Sequence, residues 1–558
     1  MKTNSTQPFS LLALVLVVAG SMSAHAANYS LEFTNTAYSS STTTISTSSG
    51  SKTVAYHYYS GIVYVAHPVD TTYETMNVFV PTAINGVSIQ TTNVPILIDI
   101  NVGGYTCTTA GNNPSDNGNQ ALAQGYIVVS PGCRGRDNYS SSLGYYGKAP
   151  AAIVDLKAAV RYIRFNTNSF PGNHEWIFSS GGSAGGALSA LLGASGDSDL
   201  YTSYLASIGA ATNVSDSLFG CAAYCPIHNL DHADMCYEFE FGTIYCNNTN
   251  VVNQTNSATL KVAYTNYQSE LSFGGKNGFG TITASNIDDY LLTNYLLPSA
   301  TRYLNSLSSS SNSSYLSRHT WITWTNRCAT FTYTNYAAYI GRSKGLPAFD
   351  AFDLSTAECI EFGSTNINAR HFTDFSLQYI SGNSSTNISS DMQILVDIMN
   401  PLHFIGLTNS GCAQHWWVRH GTRDTDTSHM IIINLVLGLE NIGRNVDAWF
   451  YWDGGHNVNY DPEDFAKWMG DAVSRTNFQI TAVSLQTNDV TINWSTYAGL
   501  TNYLQVCNGD TNGGPSSTNF TTLYTNIPSG FGSISTNYTE IGGATNSGSR
   551  FYRAVRYY

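Results

Sequence analysis

The residues best suited to covalent chemistry are a serine and its glycine neighbours, Gly181-Gly182-Ser183-Ala184-Gly185-Gly186. The strand-like run 176–178 precedes this segment and the small-residue run 187–192 follows it, which predicts a strand-to-helix turn at the serine. Glycines leave room for the strained backbone of such a turn, and a helix N-terminus favours developing negative charge. Ser183 is therefore a candidate nucleophile for acyl transfer. The alternative is an ordinary serine in a glycine-rich turn.

A nucleophilic serine needs a histidine base, and that histidine needs a carboxylate that fixes its tautomer. After a turn of this kind, the carboxylate comes first along the chain and the histidine second. His456 follows the strand-like run 448–452, and Asp424 precedes a helix-like apolar segment, so both fit this order. Asp426 and Asp453 compete with Asp424, because an aspartate near a helix start often only caps the helix.

Acyl transfer also needs two N–H donors that bind the oxyanion. We expect one from Ala184, the residue after the serine. The second is expected from the loop Val102-Gly103-Gly104-Tyr105, which follows the predicted strand 96–100. Paired glycines let that backbone approach a reacting carbonyl, so we place the donor at Gly104 or Tyr105. An ordinary Gly-Gly turn is the alternative.

A second cluster, His228, His232, Asp234 and Cys236, has the composition of a metal site. Histidines four residues apart could chelate zinc, but the segment lacks both the His-Glu-x-x-His base and the paired cysteines of a structural zinc site. Packing, hydrogen bonding or a disulfide explains these residues better. We predict no metal and no cofactor, since no step of acyl transfer needs one.

The pattern around these residues predicts three folded parts. Short apolar runs alternate with amphipathic segments up to about residue 195, which indicates βαβ units and a mainly parallel sheet. This regularity is lost between about 212 and 395, so we predict a lid inserted into a catalytic domain of residues 27–211 and 396–473. Alternating apolar residues and Gly/Asn/Thr-rich turns predict a small all-β, sandwich-like module over residues 474–558.

The first 26 residues have the features of a signal peptide: Lys2, an apolar run at 11–18 and the sequence Ala24-His25-Ala26. The apolar run is shorter than the ~20 residues of a membrane span, which makes an anchor the weaker alternative. We therefore predict a secreted or periplasmic protein that has no membrane span after cleavage.

Composition limits the kinds of molecule that the chain is expected to bind. A formal net charge of −13 with 11% charged residues argues against nucleic acid and anionic lipid, which need a basic surface. Ten cysteines in an exported chain predict some disulfides. The local candidates are Cys221 with Cys225 and Cys236 with Cys246, which leaves Cys507 without a predicted disulfide partner.

Beyond the generic pentapeptide, the run 182–196 resembles the serine turn and following helix of the bacterial tannases. Cys225-Pro226-Ile227 and the run 230–234 are similar to that family's entry into its lid, and the run 61–70 is weakly similar to its first strand. The resemblance spans roughly residues 55–472 and does not reach the C-terminal module. It implies an α/β-hydrolase fold with a large lid, and it places the family's catalytic triad on Ser183, Asp424 and His456.

The resemblance also implies a substrate. The family's galloyl-binding residues are a lysine and a glutamate in the lid and an aspartate two places after the triad aspartate, and they fall on Lys344, Glu358 and Asp426. One cation and two carboxylates suit the three adjacent hydroxyls of a galloyl ring. A pocket with such groups rejects rings that lack the hydroxyls, because its polar groups are then left unpaired. The implied function is hydrolysis of galloyl esters through a galloyl-enzyme intermediate.

Two other functions stay open. A feruloyl or other aromatic-ester hydrolase would use the same triad. Fungal tannases and many feruloyl esterases, however, have cysteines before the triad Asp and His, where this chain has Arg423 and Gly455. The second alternative is an inactive binding protein on a hydrolase scaffold. In either case, the C-terminal module is predicted to bind an unidentified carbohydrate or surface.

Overall fold

The computed structural model describes residues 28–247, 249–407, 411–477, 480–497, 502–509, 520–526, 533–545 and 550–555. The predicted signal peptide, residues 1–26, lies outside the described residues. Within them, no helix is long and apolar enough to cross a membrane.

A ten-stranded sheet forms the centre of the protein. Six neighbouring strands run parallel, and the first strands of the chain extend the sheet at one edge in antiparallel pairing. The order across the sheet is Ser39–Thr47, Gly50–Val63, Thr75–Ile84, Ile127–Pro131, Ile96–Ile100, Ile177–Gly182, Gly220–Tyr224, His415–Gly421, Asn445–Tyr451, with Val87–Ser88 paired to Thr75–Ile84.

Burial explains why these segments form strands. Every residue of Ile96–Ile100, Ile127–Pro131 and His415–Gly421 is buried, as expected for parallel strands that are covered on both faces. This mixed sheet with its helices confirms the predicted α/β-hydrolase fold.

The α-helices of the described residues are Asp116–Ala123, Ala151–Phe165, Ala184–Ala194, Thr202–Ser207, Leu230–Phe241, Gln254–Leu271, Ile287–Leu291, Leu297–Ser306, Ser309–Arg318, Tyr333–Ile340, Ala357–Glu361, Asp374–Ser381, Ser390–Ile398, Pro401–Gly406, His429–Asn441 and Pro462–Asn477.

One strand corrects the predicted lid of residues 212–395. Gly220–Tyr224 lies inside that range, yet it pairs with Ile177–Gly182 and His415–Gly421 in the central sheet. Its side chains are small because a helix packs closely on it: a Cβ added to Gly193 would lie 2.8 Å from Cβ of Cys221. The strand lacks the run of β-branched residues that usually indicates a strand, so the sequence pattern did not predict it. The helical insertion begins after this strand.

The C-terminal region confirms the predicted all-β character. The strands Ile480–Gln486, Asp489–Tyr497 and Ser533–Glu540 form one antiparallel sheet, and Thr521–Asn526, Asn502–Asn508 and Arg550–Val555 form another. Ile492 and Trp494 of the first sheet share a small buried core with Leu504 of the second.

The predicted disulfides are wrong. All ten cysteines lie in the described residues, and no disulfide joins them. Cys221 and Cys225 are four residues apart at the end of an extended strand, which separates them by about 13 Å, beyond the reach of a disulfide. Cys236 is buried in the helix Leu230–Phe241, whereas Sγ of Cys246 lies 3.5 Å from the carbonyl oxygen of Lys344.

Candidate active site

Ser183 occupies a strained turn between the strand Ile177–Gly182 and the helix Ala184–Ala194. Its backbone has φ 58° and ψ −124°, a conformation that is rare for a residue with a side chain. The flanking glycines permit this turn: a Cβ on Gly181 would lie 2.4 Å from the carbonyl oxygen of Gly185. The N–H of Ser183 donates to the carbonyl of Tyr224 at 2.9 Å, which fixes the turn against the neighbouring strand.

The structure brings Ser183, His456 and Asp424 into one hydrogen-bonded chain. Nε2 of His456 lies 2.8 Å from Oγ of Ser183, and Nδ1 lies 2.8 Å from Oδ2 of Asp424. The other carboxylate oxygen of Asp424 accepts the N–H of Asp426 at 2.9 Å. Because the carboxylate accepts the Nδ1 proton, Nε2 is left as the acceptor that faces the serine hydroxyl.

The surroundings favour charge on both partners of the serine. Burial lowers the pKa of His456, but its hydrogen bonds with Asp424 and Cys225 outweigh burial and raise the pKa above its ordinary value. Burial also acts to raise the pKa of Asp424, yet the His420 and His456 rings and the N–H of Asp426 hold it below its ordinary value. An anionic Asp424 can therefore stabilise the imidazolium that forms when the serine loses its proton.

The competing carboxylates have other contacts. Oδ2 of Asp426 lies 3.8 Å from Nδ1 of His456, farther than Asp424. The carboxylate of Asp453 accepts the hydroxyls of Tyr315 and Tyr339 at 2.6 and 2.7 Å. Geometry thus pairs His456 with Asp424 rather than with either rival.

The glycine loop at 102–105 lies beside the serine turn. The N–H of Gly185 donates to the carbonyl of Val102 at 3.0 Å, and both Gly104 and Tyr105 have positive φ, at 53° and 59°. Nε of Arg136 donates to the carbonyl of Gly104 at 2.6 Å, which holds the loop from its outer side. The N–H of Ala184, the first in its helix, has no intrahelical acceptor and remains available to a ligand.

Lys344 reaches the site from the inserted region. Its backbone N–H donates to the hydroxyl of Tyr237 at 3.2 Å, and that hydroxyl donates to the carbonyl of Thr425 at 2.7 Å. Oγ of the preceding Ser343 also donates to Thr425, at 2.8 Å. These contacts fix the Lys344 segment next to Asp426.

Glu358 completes this group from the short helix Ala357–Glu361, where only 7% of it is exposed. Burial raises the pKa of Glu358, while the charges of Lys344 and Arg136 oppose that rise and Asp426 adds to it. Of the three residues predicted to bind a ring, Asp426 lies 3.8 Å from His456 and Lys344 lies in a segment bound to Thr425. The charges of both act on the buried Glu358 carboxyl.

Cys225 belongs to the site, although the sequence placed it in a disulfide. Its Sγ accepts the N–H of Asn457 at 3.2 Å, and atoms of Cys225, Asp424 and His456 lie within 4.8 Å of one another. Sequence reasoning missed this contact because it joins two loops that are 232 positions apart. Arg136, which contacts Gly104, and His420, four residues before Asp424, were missed as well.

The other cluster with metal-like composition makes ordinary structural contacts. Asp234 accepts the N–H groups of Phe349 and Asp350 at 2.8 and 3.1 Å. His232 stacks on the ring of Tyr267, with 3.9 Å between ring centroids. Burial lowers the pKa of His228 to about 3, which keeps that ring neutral.

Comparisons with known proteins agree with this geometry. A family model described as BD-FAE matches residues 84–223, which include the serine turn. No curated protein sequence matches the chain. The solved structures do: the tannase of Fusobacterium nucleatum superposes with a TM-score of 0.70 at 32% identity, covering 80% of this chain and 100% of that enzyme.

Two further structures show the same relation. The tannin acyl hydrolase of Lactobacillus plantarum has 33% identity and a TM-score of 0.70, covering 79% of this chain and 98% of that enzyme. A tannin acyl hydrolase in complex with ethyl gallate gives 32% identity, the same TM-score and the same coverage. Identity at this level over the whole length of these enzymes shows that the chain belongs to the bacterial tannase family and is a carboxylic ester hydrolase.

Proposed function

We propose that this protein hydrolyses galloyl esters, with Ser183 as nucleophile, His456 as general base and Asp424 as the carboxylate that orients the base. The observation that supports this substrate most is that Asp426 lies beside His456, that the Lys344 segment is bound to Thr425, and that both charges act on the buried Glu358 carboxyl. The related tannin acyl hydrolase in complex with ethyl gallate supports the same choice.

The first half of the reaction forms an acyl-enzyme. His456 takes the proton of the Ser183 hydroxyl, and Oγ bonds to the ester carbonyl carbon. The N–H of Ala184 and one from Gly104 or Tyr105 bind the resulting oxyanion. As the intermediate collapses, the ester C–O bond breaks and the imidazolium gives its proton to the departing alcohol.

The second half releases gallic acid. A water molecule gives its proton to Nε2 of His456 and attacks the carbonyl of the galloyl-serine. The bond to Oγ then breaks, and Ser183 regains its proton from the imidazolium. Apart from the ester and this water molecule, every group that acts in the two halves belongs to the chain.

The hydroxyls of a galloyl ring would use both the cation and the two carboxylates of this group. Lys344 has only donors, so it binds a hydroxyl through that oxygen, whereas the carboxylates of Glu358 and Asp426 accept hydroxyl protons. Since 7% of Glu358 is exposed, water cannot readily replace a missing ring hydroxyl there. The site should therefore discriminate strongly against rings without hydroxyls.

Substitution of Glu358 tests this substrate assignment. We expect Glu358→Gln to lower kcat/KM for methyl gallate about 10- to 100-fold, because the amide cannot accept as two carboxylate oxygens do. Activity on methyl benzoate, which we expect to be low in the wild-type protein, should stay within about twofold. Steady-state kinetics on both esters provides the measurement, and Glu270→Gln, on an exposed face of the helix Gln254–Leu271, is the matched control. Equal losses on the two esters would contradict a ring-binding role.

A buried network ties the inserted region to the loop of Asp424. The Tyr336 hydroxyl donates to the carbonyl of Thr422 at 2.6 Å and lies 2.9 Å from Nε2 of His429, whose Nδ1 lies 2.6 Å from Glu240.

Removal of one hydroxyl from this network should disturb the triad without touching the substrate. We expect Tyr336→Phe to lower kcat on methyl gallate about 10-fold with KM changed less than about threefold, since one lost hydrogen bond to the acid loop costs on the order of 1 kcal/mol. Rates of fluorophosphonate labelling of Ser183 should fall in parallel. A rise in KM with unchanged kcat would show that Tyr336 supports the ring site instead.

Export belongs to the proposal as well. It rests on the sequence pattern of residues 1–26, and fractionation of cells that express the full chain or residues 27–558 tests it. Retention of both chains in the cytoplasm would rule it out.

A further inference from the structure

A second cavity lies beside the loop of His456. It measures about 450 Å³ and opens between the helix Leu297–Ser306, the edge strand Asn445–Tyr451 and residues 452–464. We name it the edge cavity. Nothing in the mechanism above uses it, although its size is in the range of small-molecule sites.

The walls of the edge cavity are aromatic. Trp449 and Tyr451 point to the same side of the strand because they are two residues apart. The guanidinium of Arg302 lies 4.9 Å from the centre of the Trp449 ring, and Tyr460 lies 5.0 Å from the Tyr451 ring. Tyr460 is 64% exposed, so its ring is accessible from solvent.

Carboxylates and one guanidinium lie near the edges of these rings. The Asp464 side chain is 60% exposed, and Asp453 also lines the cavity. Within the described residues, the guanidinium N–H groups of Arg302 form no hydrogen bond or ion pair. Asp461, by contrast, is held by Nε of Arg419 at 3.0 Å. Nζ of Lys467 lies 3.4 Å from the Asp464 carboxylate, which still has further acceptor positions. Aromatic side chains, the Arg302 guanidinium and such a carboxylate suit a flat ring that has several hydroxyls.

The edge cavity is within reach of the reacting ester. Asp453 is three residues from His456, so their Cα atoms are at most about 11 Å apart. The hydroxyl of Tyr339 donates to Asp453 at 2.7 Å, and the guanidinium of Arg423, next to Asp424, lies 5.3 Å from the centre of the Tyr339 ring. A substrate with several galloyl groups on one polyol core can therefore occupy both places.

We propose that the edge cavity binds a second galloyl ring of a multiply galloylated polyol while the first ring lies next to Ser183. This inference rests on the proposed function and adds a second ring site to it. The exposed ring of Tyr460 and the Trp449 ring with the Arg302 guanidinium beside it can stack on a flat galloyl ring.

Kinetics with one-ring and many-ring substrates tests the proposal. We expect Trp449→Ala and Tyr460→Ala each to lower kcat/KM for pentagalloylglucose about 10-fold and to leave methyl gallate within about twofold. Tyr38→Ala is the control, since Tyr38 is 42% exposed and adjoins the strand at the opposite edge of the sheet. Equal losses on both substrates, or no loss on pentagalloylglucose, would overturn the proposal.

A binding measurement separates this inference from the proposed function. Calorimetry of pentagalloylglucose with Ser183→Ala protein needs no turnover, and adding Trp449→Ala should weaken binding about 10-fold. Unchanged affinity would overturn the edge-cavity proposal even if the wild-type enzyme hydrolyses methyl gallate. Failure of the wild-type enzyme to hydrolyse methyl gallate would instead count against the proposed function.

Discussion

Replacement of Ser183 by alanine is expected to lower kcat on methyl gallate by about 10⁴- to 10⁶-fold, because no other group can form the acyl-enzyme. Affinity for gallate should change less than about twofold, since the ring contacts involve Lys344, Glu358 and Asp426 rather than the serine. Steady-state kinetics measures the first quantity and calorimetry with gallate the second.

Substitution of a second, exposed serine controls for any general effect of replacing serine with alanine. Ser207 is exposed at the end of the helix Thr202–Ser207, so Ser207→Ala should keep wild-type activity. If Ser183→Ala retained more than about a hundredth of wild-type kcat, a different nucleophile would have to act.

Asp424→Asn is expected to lower kcat by about 10⁴-fold. The amide group of asparagine donates to Nδ1 of His456, which favours the tautomer whose Nε2 carries a proton and cannot accept one from Ser183. Asp453→Asn is the informative comparison, because the Asp453 carboxylate contacts Tyr315 and Tyr339 instead of His456. This substitution should lower kcat on methyl gallate less than about 10-fold.

The pH dependence of the Asp424→Asn variant provides a second readout. Burial lowers the pKa of His456, and the hydrogen bonds with Asp424 and Cys225 more than reverse that, so its folded pKa lies above 6.5. Only the neutral imidazole acts as a base, so kcat/KM falls as pH falls through this pKa. Loss of the carboxylate should shift that acid limb to lower pH. An unshifted limb would mean that Asp424 does not contact the base in solution.

The serine turn could be predicted because its signal is local. A strand, a glycine-flanked serine and a small-residue helix follow one another within about twenty residues, and the structure places Ser183 at that junction. The strand Gly220–Tyr224 could not be recognised, since close packing of the helix Ala184–Ala194 makes its residues small. The hairpin Ser39–Thr47 and Gly50–Val63 was missed because most of its Ser and Thr side chains face solvent and give no apolar alternation.

The active site, too, could be predicted only where the sequence carries a local signal. The order of Ser183, Asp424 and His456 along the chain indicated which residues could meet, and the distances between them agree with that order. Cys225 could not be placed, because its contact with His456 and Asn457 depends on how two distant loops meet. Cysteine spacing alone suggested a bridge where an extended backbone keeps the two thiols apart.

The proposed substrate is tested most directly by the ratio of kcat/KM for methyl gallate to that for methyl ferulate with purified wild-type protein. Lys344, Glu358 and Asp426 around the ring predict a ratio of at least about 10², because a methoxy group cannot donate to a buried carboxylate. A ratio below one would identify a feruloyl-type esterase and contradict the galloyl site, and no hydrolysis of either ester would contradict the proposed function itself.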